Sequence, residues 1–424
     1  MLASLRLTNV GPAAAMKMDL ARRLNLITGD NGLGKSFLLD VAWWALTRTW
    51  AREMAVPKPA TEASIAIEEV HSRPRILPQF SASDFETKYD PATAHWVAES
   101  PVQPDPGLVV YVQIDGGFSV WDTMRNRPWW PQSPSEPQRP SAFLFSRQQV
   151  WRGTDYCNGL LRDWVLWQSG ADPQFQLLKE VLLALSPSPE DPITPGAPRK
   201  ITVNDPLRYP TLRMPYGEDV PLIHASAGMR RIIALAYLLV WAWQEHLEAA
   251  AIRGAEPTPE IVFLVDEVEA HLHPQWQRKI LPALLGVMNV LTCDRGLNVQ
   301  ILGTTHAPLV LASMEPHFDS ERDRLFQLLL DDGAVRLREA EWALQGDVSH
   351  WLVSDTFGLR QARSVEAERV LAAARAWIGG RFNTLPAHLS SQEAIHNELV
   401  RVLAGHDPFW PRWMCYCRQE GDSR

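Results

Sequence analysis

An α/β fold built on a parallel sheet is what this sequence predicts, and three stretches predict it. Leu24–Thr28 is a short apolar strand that passes through a glycine-rich turn, Gly29–Ser36 (GDNGLGKS), into an apolar helix over Phe37–Leu46. Ile261–Val265 is a continuous apolar run ending in Asp266-Glu267. Gln300–His306 is another buried run, ending in Thr304-Thr305-His306. Runs that do not alternate polar with apolar suit strands covered on both faces, as in a parallel sheet.

The elements follow in order. Residues 1–50 read as strand, connection, strand, turn and helix, with Phe37, Leu38, Val41, Trp44 and Ala45 at helical spacing. Trp43-Trp44 reads as packing. The turn fits G-x-x-x-x-G-K-[ST] at every fixed position. Glycines let the backbone wrap a phosphate, because positive φ costs them little. Successive N–H groups then point inward at a helix N-terminus whose dipole favours anions. The expected phosphate-contacting set is Asp30, Asn31, Gly32, Gly34, Lys35, Ser36 and Phe37. Lys35 would reach the β and γ phosphates of a nucleoside triphosphate, and Ser36 Oγ would ligate Mg²⁺.

Residues 51–198 read as an insertion. Ser64–Glu68 alternates, and Leu108–Val112 joins Phe118–Trp121 through Asp115-Gly116-Gly117 as a hairpin, so an antiparallel β subdomain is expected. Pro128–Pro140, with Trp129-Trp130, reads as an exposed proline-rich loop. Arg147–Gly153, Gly159–Gln168 and Pro173–Leu185 read as helices and Ser186–Pro198 as a linker. Residues 199–340 rejoin the core. They hold strands at Arg199–Val203 and Thr211–Met214, a long helix from Met229 to about Ala251, a helix over Trp276–Val290, and a hairpin around Asp332-Gly333. Residues 341–424 read as a mostly helical subdomain, with helices at Ser364–Trp377 and Ser391–Leu403 and an aromatic tail, Phe409–Trp413.

Composition narrows the classes. Hydrophobic content of 46% is ample for a core, and no apolar run is long enough to suggest a membrane span. The first residues lack a basic segment followed by an apolar block, so no signal peptide is expected. Four cysteines are too few and scattered for a disulfide framework, and Cys415-Tyr416-Cys417 has no matching pair for zinc. A reducing cytoplasm fits. The net charge of −8 gives no support for a protein that mainly grips nucleic acid. Eighteen Trp and 33 Pro argue against long coiled-coil arms.

Three stretches extend the chemistry beyond the turn. Asp266, at a strand end, can hold the Mg²⁺ shell, and Glu267 beside it can polarise a water for in-line attack on the γ-phosphate. His306 ends the next strand and can donate to the γ-phosphate. Ser226 and Gly228, opening the long helix, offer a hydroxyl and N–H groups to an anion. Alone, that serine is no more than an ordinary N-cap.

In this order the chain resembles the ABC-type ATPase heads, specifically the SMC-like and OLD-like AAA ATPases of bacteria. GDNGLGKS, VDEVEAHLHP, TTHAP and SAGMRR carry the likeness, over about residues 1–50 and 221–313. The resemblance implies a P-loop NTPase of ABC-ATPase head type. It also implies that Ser226 and Gly228 contact ATP bound by another subunit, in an ATP-sandwiched homodimer or higher oligomer. Glu269–Pro274 resembles the family's D-loop region. Departures are Ala225 where many members have Leu, and Met229-Arg230-Arg231 where many have Glu-Arg-Gln. The family's Q-loop glutamine is expected at Gln148 or Gln149. After His306 there is no D-x-D metal site and no H-N-H pattern with zinc-type cysteines, so no nuclease is expected in the same chain. The likeness then points to compact ATPases encoded beside a separate effector, such as an HNH-type nuclease, as in Septu-like anti-phage systems. Gln345–Asp347, Trp351–Arg363 and the aromatic tail are candidate docking surfaces, set against ordinary packing. An alternative is a DNA-repair or recombination ATPase gripping DNA through Arg199, Lys200, Arg208, Arg213, Arg230 and Arg231. A third is a nucleotide-dependent scaffold with negligible turnover.

Overall fold

The structure is a computed structural model and describes residues 1–59, 61–69, 84–98, 104–126, 139–292 and 297–421. Trp129, Trp130, most of the expected proline-rich loop and Cys293 lie outside these residues. Two compact units divide the chain, Met1–Gly346 and Asp347–Arg424.

The first unit begins with β1 (Leu2–Thr8), β2 (Ala15–Asp19), β3 (Leu24–Gly29) and α1 (Lys35–Thr47). Next come β4 (Ser64–Glu69), β5 (Asp84–Asp90), β6 (His95–Ala98), β7 (Leu108–Val112), β8 (Phe118–Asp122) and β9 (Phe143–Phe145). Helices α2 (Arg147–Arg152), α3 (Leu160–Gly170) and α4 (Pro173–Ala184) lead to a small antiparallel sheet of β10 (Thr194–Pro195), β11 (Thr211–Arg213) and β12 (Asp219–Pro221). The unit closes with α5 (Ala227–Arg253), β13 (Glu260–Val265), α6 (Pro274–Gln277), α7 (Ile280–Thr292), β14 (Asn298–Thr304), α8 (Pro308–Met314), β15 (Asp323–Asp331) and β16 (Ala334–Ala340).

The main sheet runs β16-β15-β3-β14-β13-β7-β8-β9. Its middle five strands, β15 to β7, are mutually parallel, and the outer strands are antiparallel. A second, antiparallel sheet runs β2-β1-β4-β5-β6. Helix α1 packs with both sheets in one core, joining Leu5, Leu7 and Ile65 on one side to Val109, Val262 and Leu302 on the other. That double cover explains why α1 is apolar nearly all round, with Trp43 and Trp44 both buried. Helices α4, α5 and α7 pack together, and α5 contacts β7.

Several sequence expectations need correction. The sequence places Leu108–Val112 in the insertion, whereas β7 lies inside the main sheet, parallel to β13 and buried along its length. Its unbroken apolar run is the mark of a doubly covered strand, and the glycine turn beside it masked that. β4–β6 are antiparallel, yet they extend the N-terminal sheet through β4 and β1 instead of standing apart. Arg199–Val203 is no strand; Arg199 makes a single bridge to Tyr209. The helix over Trp276–Val290 is split into α6 and α7 just before Pro282, whose missing N–H cannot continue the ladder. The C-terminal unit starts at Asp347, not 341, because Gln345 N and Gly346 N donate to the Glu315 carboxylate at 2.8 and 3.1 Å.

The second unit holds α9 (Val348–Val353), α10 (Val365–Ile378), α11 (Gln392–Val402) and α12 (Trp410–Gly421). Ser364 and Ser391 cap α10 and α11 through their hydroxyls. Leu371, Ala374, Ile395, Leu399 and Trp413 form its core. Trp351 and Trp413, expected on docking surfaces, are 2% and 0% exposed. Trp413 is also fixed by a 3.1 Å bond from its Nε1 to His396 Nδ1. Trp413→Ala should therefore lower the unit's stability by about 3–5 kcal/mol, read from urea denaturation of the full chain. An unchanged midpoint would mean that this ring is not a core residue. Among the described residues no helix is long and apolar enough to cross a membrane.

Candidate functional site

Parallel strands put their carboxyl ends on one edge, where loops are free to bind ligands. Here β3, β14, β13 and β7 end side by side, and their following residues are Asp30, Thr305, Asp266 and Gln113. The ends are tied together: Asp266 N donates to Val112 O at 2.9 Å, Val268 N to Thr304 O at 3.1 Å, and Thr305 N to Ile27 O at 3.0 Å.

After β3 the chain turns through Gly29, Gly32 and Gly34, all at positive φ (140°, 80° and 101°). At Gly29 a Cβ would sit 2.3 Å from Leu328 O, so the turn needs glycine for space as well as for φ. The first helical bond of α1 runs from Leu38 N to Gly34 O at 3.1 Å, and Gly34 brings no side-chain cap. The N–H groups of Lys35, Ser36 and Phe37 therefore have no carbonyl within the helix to reach. Phe37 turns its ring onto Gly11, leaving its N–H as its contribution to the turn. Asp30, Asn31 and Gly32 are exposed at the turn's tip. Lys35 is buried, with Nζ donating to Gly29 O at 2.7 Å and Asp30 O at 3.1 Å. Burial pushes its pKa down, while Glu267, Glu269, Asp266 and Asp30 pull it up. The loop thus forms a cationic, donor-lined cradle.

Asp266 is completely buried. Its Oδ1 accepts from Ser36 Oγ at 2.9 Å and Thr304 Oγ1 at 2.8 Å. Its Oδ2 has no hydrogen-bond partner. A buried carboxylate oxygen left open beside a serine hydroxyl fits a divalent ion that takes few protein oxygens and completes its shell from phosphates and water.

Glu267 stands just outside, with its side chain 18% exposed. It is held at φ 45°, a left-handed conformation unusual for a side chain of this size, by a bond from its N to Thr304 Oγ1 at 2.7 Å. His306 Nδ1 lies 3.4 Å from Glu267 Oε1 and 3.2 Å from Glu269 Oε1. Glu269, which the sequence places only in a D-loop-like segment, is buried and accepts the His306 backbone N–H at 2.7 Å, while its Oε2 has no hydrogen-bond partner. A single oxygen, Oε1, meets the histidine at both its backbone N–H and its ring. Glu269→Ala should lower turnover about tenfold with little change in nucleotide affinity, measured as kcat against the dissociation constant. Equal loss in both would assign Glu269 to ligand binding instead.

Ser226 and Gly228 sit apart from this cluster. Ser226 is exposed and caps α5, its Oγ accepting from Met229 N at 3.2 Å. A Cβ at Gly228 would meet His271 O at 2.8 Å, so the glycine allows α5 to press on the segment after Glu267. Among the described residues no hydrogen bond joins either to the phosphate turn. In the same helix Arg231 reaches inward, donating to Ile114 O, Asp266 O and Glu267 O at 2.9, 3.0 and 3.2 Å. It is a brace for the strand end, so the expected basic face loses a member. Arg213 is likewise paired with Asp219 at 2.7 Å.

Gln148 and Gln149 are exposed on α2, where the Gln149 side chain completes a capping box with Ser146. Gln113 is instead the glutamine at the edge, buried and donating to Ser119 Oγ at 3.0 Å. Its signal was present in the apolar run of β7 ending in a polar residue. In the D-loop-like segment Glu269–Pro274, Leu272 is buried and His273 caps α6.

Residues 117–312 match the family model described as AAA domain, putative AbiEii toxin, Type IV TA system. The match takes in Ser226, Gly228, Asp266, Glu267 and His306 and begins after the phosphate turn. The chain is 30% identical over 100 residues to the Retron Ec83 probable ATPase of Escherichia coli, covering 24% of this chain and 15% of that protein. It is 29% identical over 109 residues to the Septu protein PtuA of Bacillus thuringiensis, covering 25% of this chain and 24% of that one. It spans less than a quarter of either relative's length. Among solved structures, an SMC head bound to the C-terminal winged-helix domain of ScpA aligns with 80% of this chain and 98% of its own, at 14% identity and a TM-score of 0.47.

Proposed function

We propose that the AAA-family ATPase domain matched over residues 117–312, together with the phosphate turn at Gly29–Ser36, binds ATP with Mg²⁺ and hydrolyses it. The observation that carries this is Asp266, whose Oδ1 gathers Ser36 and Thr304 while its buried Oδ2 accepts no hydrogen bond. Mg²⁺, held by Ser36 Oγ and Asp266, would neutralise charge on the β and γ phosphates. The turn's N–H groups and the free first turn of α1 receive the phosphates. Lys35 Nζ exchanges the Gly29 and Asp30 carbonyls for phosphate oxygens. Glu267 orients a water and takes its proton as the oxygen bonds to the γ-phosphorus and the bond to the β–γ bridging oxygen breaks, leaving ADP and phosphate. His306, turned by Glu269, presents Nε2, which has no protein partner among the described residues, to the γ-phosphate.

Exposed Ser226 and close-packed Gly228 support a second-copy role, in which α5 of one protomer closes over the phosphate turn of another as an ATP-sandwiched homodimer. The similarity to the Septu protein and the retron ATPase supports a defence setting in the cytoplasm, with a separate effector such as an HNH-type nuclease under nucleotide control. The test is phosphate release by the purified chain with Mg²⁺ and ATP, with mass measured by light scattering in parallel. Release with doubling of mass is expected. No release sinks the enzymatic reading, and release by a strict monomer sinks the shared site.

A further inference from the structure

A second polar cluster lies behind Asp266. Arg52 Nε and Nη2 donate to the two carboxylate oxygens of Asp40 at 2.9 and 2.8 Å. Nη2 also donates to Tyr111 Oη at 3.0 Å, and that hydroxyl donates to Asp40 Oδ1 at 2.9 Å. Asp40 lies one helical turn past Ser36 on α1, and Tyr111 lies on β7 opposite Leu264 of β13. The guanidinium is therefore held in its plane by groups from both helix and sheet. So held, Arg52 Nη2 stands 3.6 Å from Asp266 Oδ2, the oxygen that no hydrogen bond reaches.

That distance is too long for a good hydrogen bond and short enough for a direct charge interaction. A buried carboxylate is costly without a counter-charge. From this geometry we infer that Arg52 is a positioning residue that acts as a stand-in cation for Asp266, compensating its charge before a divalent ion arrives and opposing entry of that ion alone. The inference rests on Asp266 as a metal ligand. The clamp to Asp40 keeps the guanidinium from closing the last gap and sealing Oδ2. A divalent ion then meets a fixed positive charge behind the carboxylate, and only the negative phosphates of a nucleotide outweigh it. Metal and nucleotide enter together.

The test is Mn²⁺ binding to the full nucleotide-free chain, followed by electron paramagnetic resonance. Arg52→Gln should bind Mn²⁺ about tenfold tighter than the parent, the scale on which one charge at this range acts. Arg52→Lys should stay near the parent. Asp266→Asn placed in the Arg52→Gln background should remove the gain. If Arg52→Gln fails to fold with Asp40 unpaired, Asp40→Asn with Arg52→Gln removes both charges of the pair; because the guanidinium is the member in ion-pair range of Asp266, this variant should still bind Mn²⁺ more tightly than the parent, by a smaller factor than Arg52→Gln. Unchanged or weaker Mn²⁺ binding in the folded variant overturns the inference, as does a gain that survives Asp266→Asn. Adding ATP separates the two readings. A parent whose Mn²⁺ affinity ATP does not raise speaks against the ATPase reading, whereas the nucleotide-free comparison of variants judges Arg52.

Discussion

Glu267→Gln should bind ATP with nearly the parent's affinity and hydrolyse it about a thousandfold more slowly, since a carboxylate that takes the water's proton is replaced by an amide that cannot. The substitution is close in shape. It keeps the backbone bond from residue 267 to Thr304 Oγ1 and the left-handed backbone at that position. It also leaves Asp266 with Ser36 and Thr304 untouched. Binding and chemistry should therefore separate, with nucleotide retained on the protein and, if the site is shared, the dimer locked. The competing base is Glu269, 3.2 Å from His306 Nδ1. Glu269 is buried and already holds the His306 N–H, so it is poorly placed to receive a water. Phosphate release at the parent's rate in Glu267→Gln, measured in single turnover, would remove Glu267 from the role and bring Glu269 forward.

What could be read in advance divides along physical lines. The phosphate turn is contiguous, and its fixed spacing expresses local backbone requirements, so Gly29 to Ser36 could be placed without knowing the fold. Asp266 and His306 were readable as polar ends of continuous apolar runs, because a parallel sheet gathers such ends on one edge. β7 carries that same signal in Leu108–Val112, yet Asp115-Gly116-Gly117 is a strong local hairpin cue and the hairpin with β8 is real. What placed β7 in the core was its other edge, the parallel pairing to β13 across a separation of well over a hundred residues, which no local pattern reports. Gln113 was missed with it. Arg52 passes unnoticed in the sequence, and Arg231 and Glu269 read only as a basic-face candidate and a D-loop position, for a different reason. A charged residue reads as solvated until tertiary structure supplies partners. Only the fold shows that Arg231 braces the β13 end and that Arg52 is clamped by Asp40 and Tyr111.

Lys35→Ala should weaken ATP binding by about a hundredfold or more, the range expected when one partner of a buried, hydrogen-bonded charge contact is cut away. Lys35 does more here than add one attraction. Asp266, Glu267 and Glu269 crowd the same strand ends, and each is close enough to raise the Lys35 pKa against the pull of burial. With the ammonium gone, those carboxylates face the incoming phosphates, and the two arginines beside them are already engaged. Arg231 is committed to three backbone carbonyls and Arg52 to Asp40 and Tyr111. Neither can take over at the turn. The same substitution strips the donor from Gly29 O and Asp30 O, but both carbonyls border an exposed tip and can turn to water, so the fold should survive. A fluorescent ATP analogue titrated into the folded variant reads the effect directly. Lys35→Arg is the sharper control, because it restores the charge with a planar fork too large for the pocket that Gly29 and Asp30 form around a single nitrogen. If Lys35→Arg binds like the parent, the site needs only a positive charge. If it fails as Lys35→Ala does, the compact ammonium in its carbonyl nest is the feature that ATP recognises.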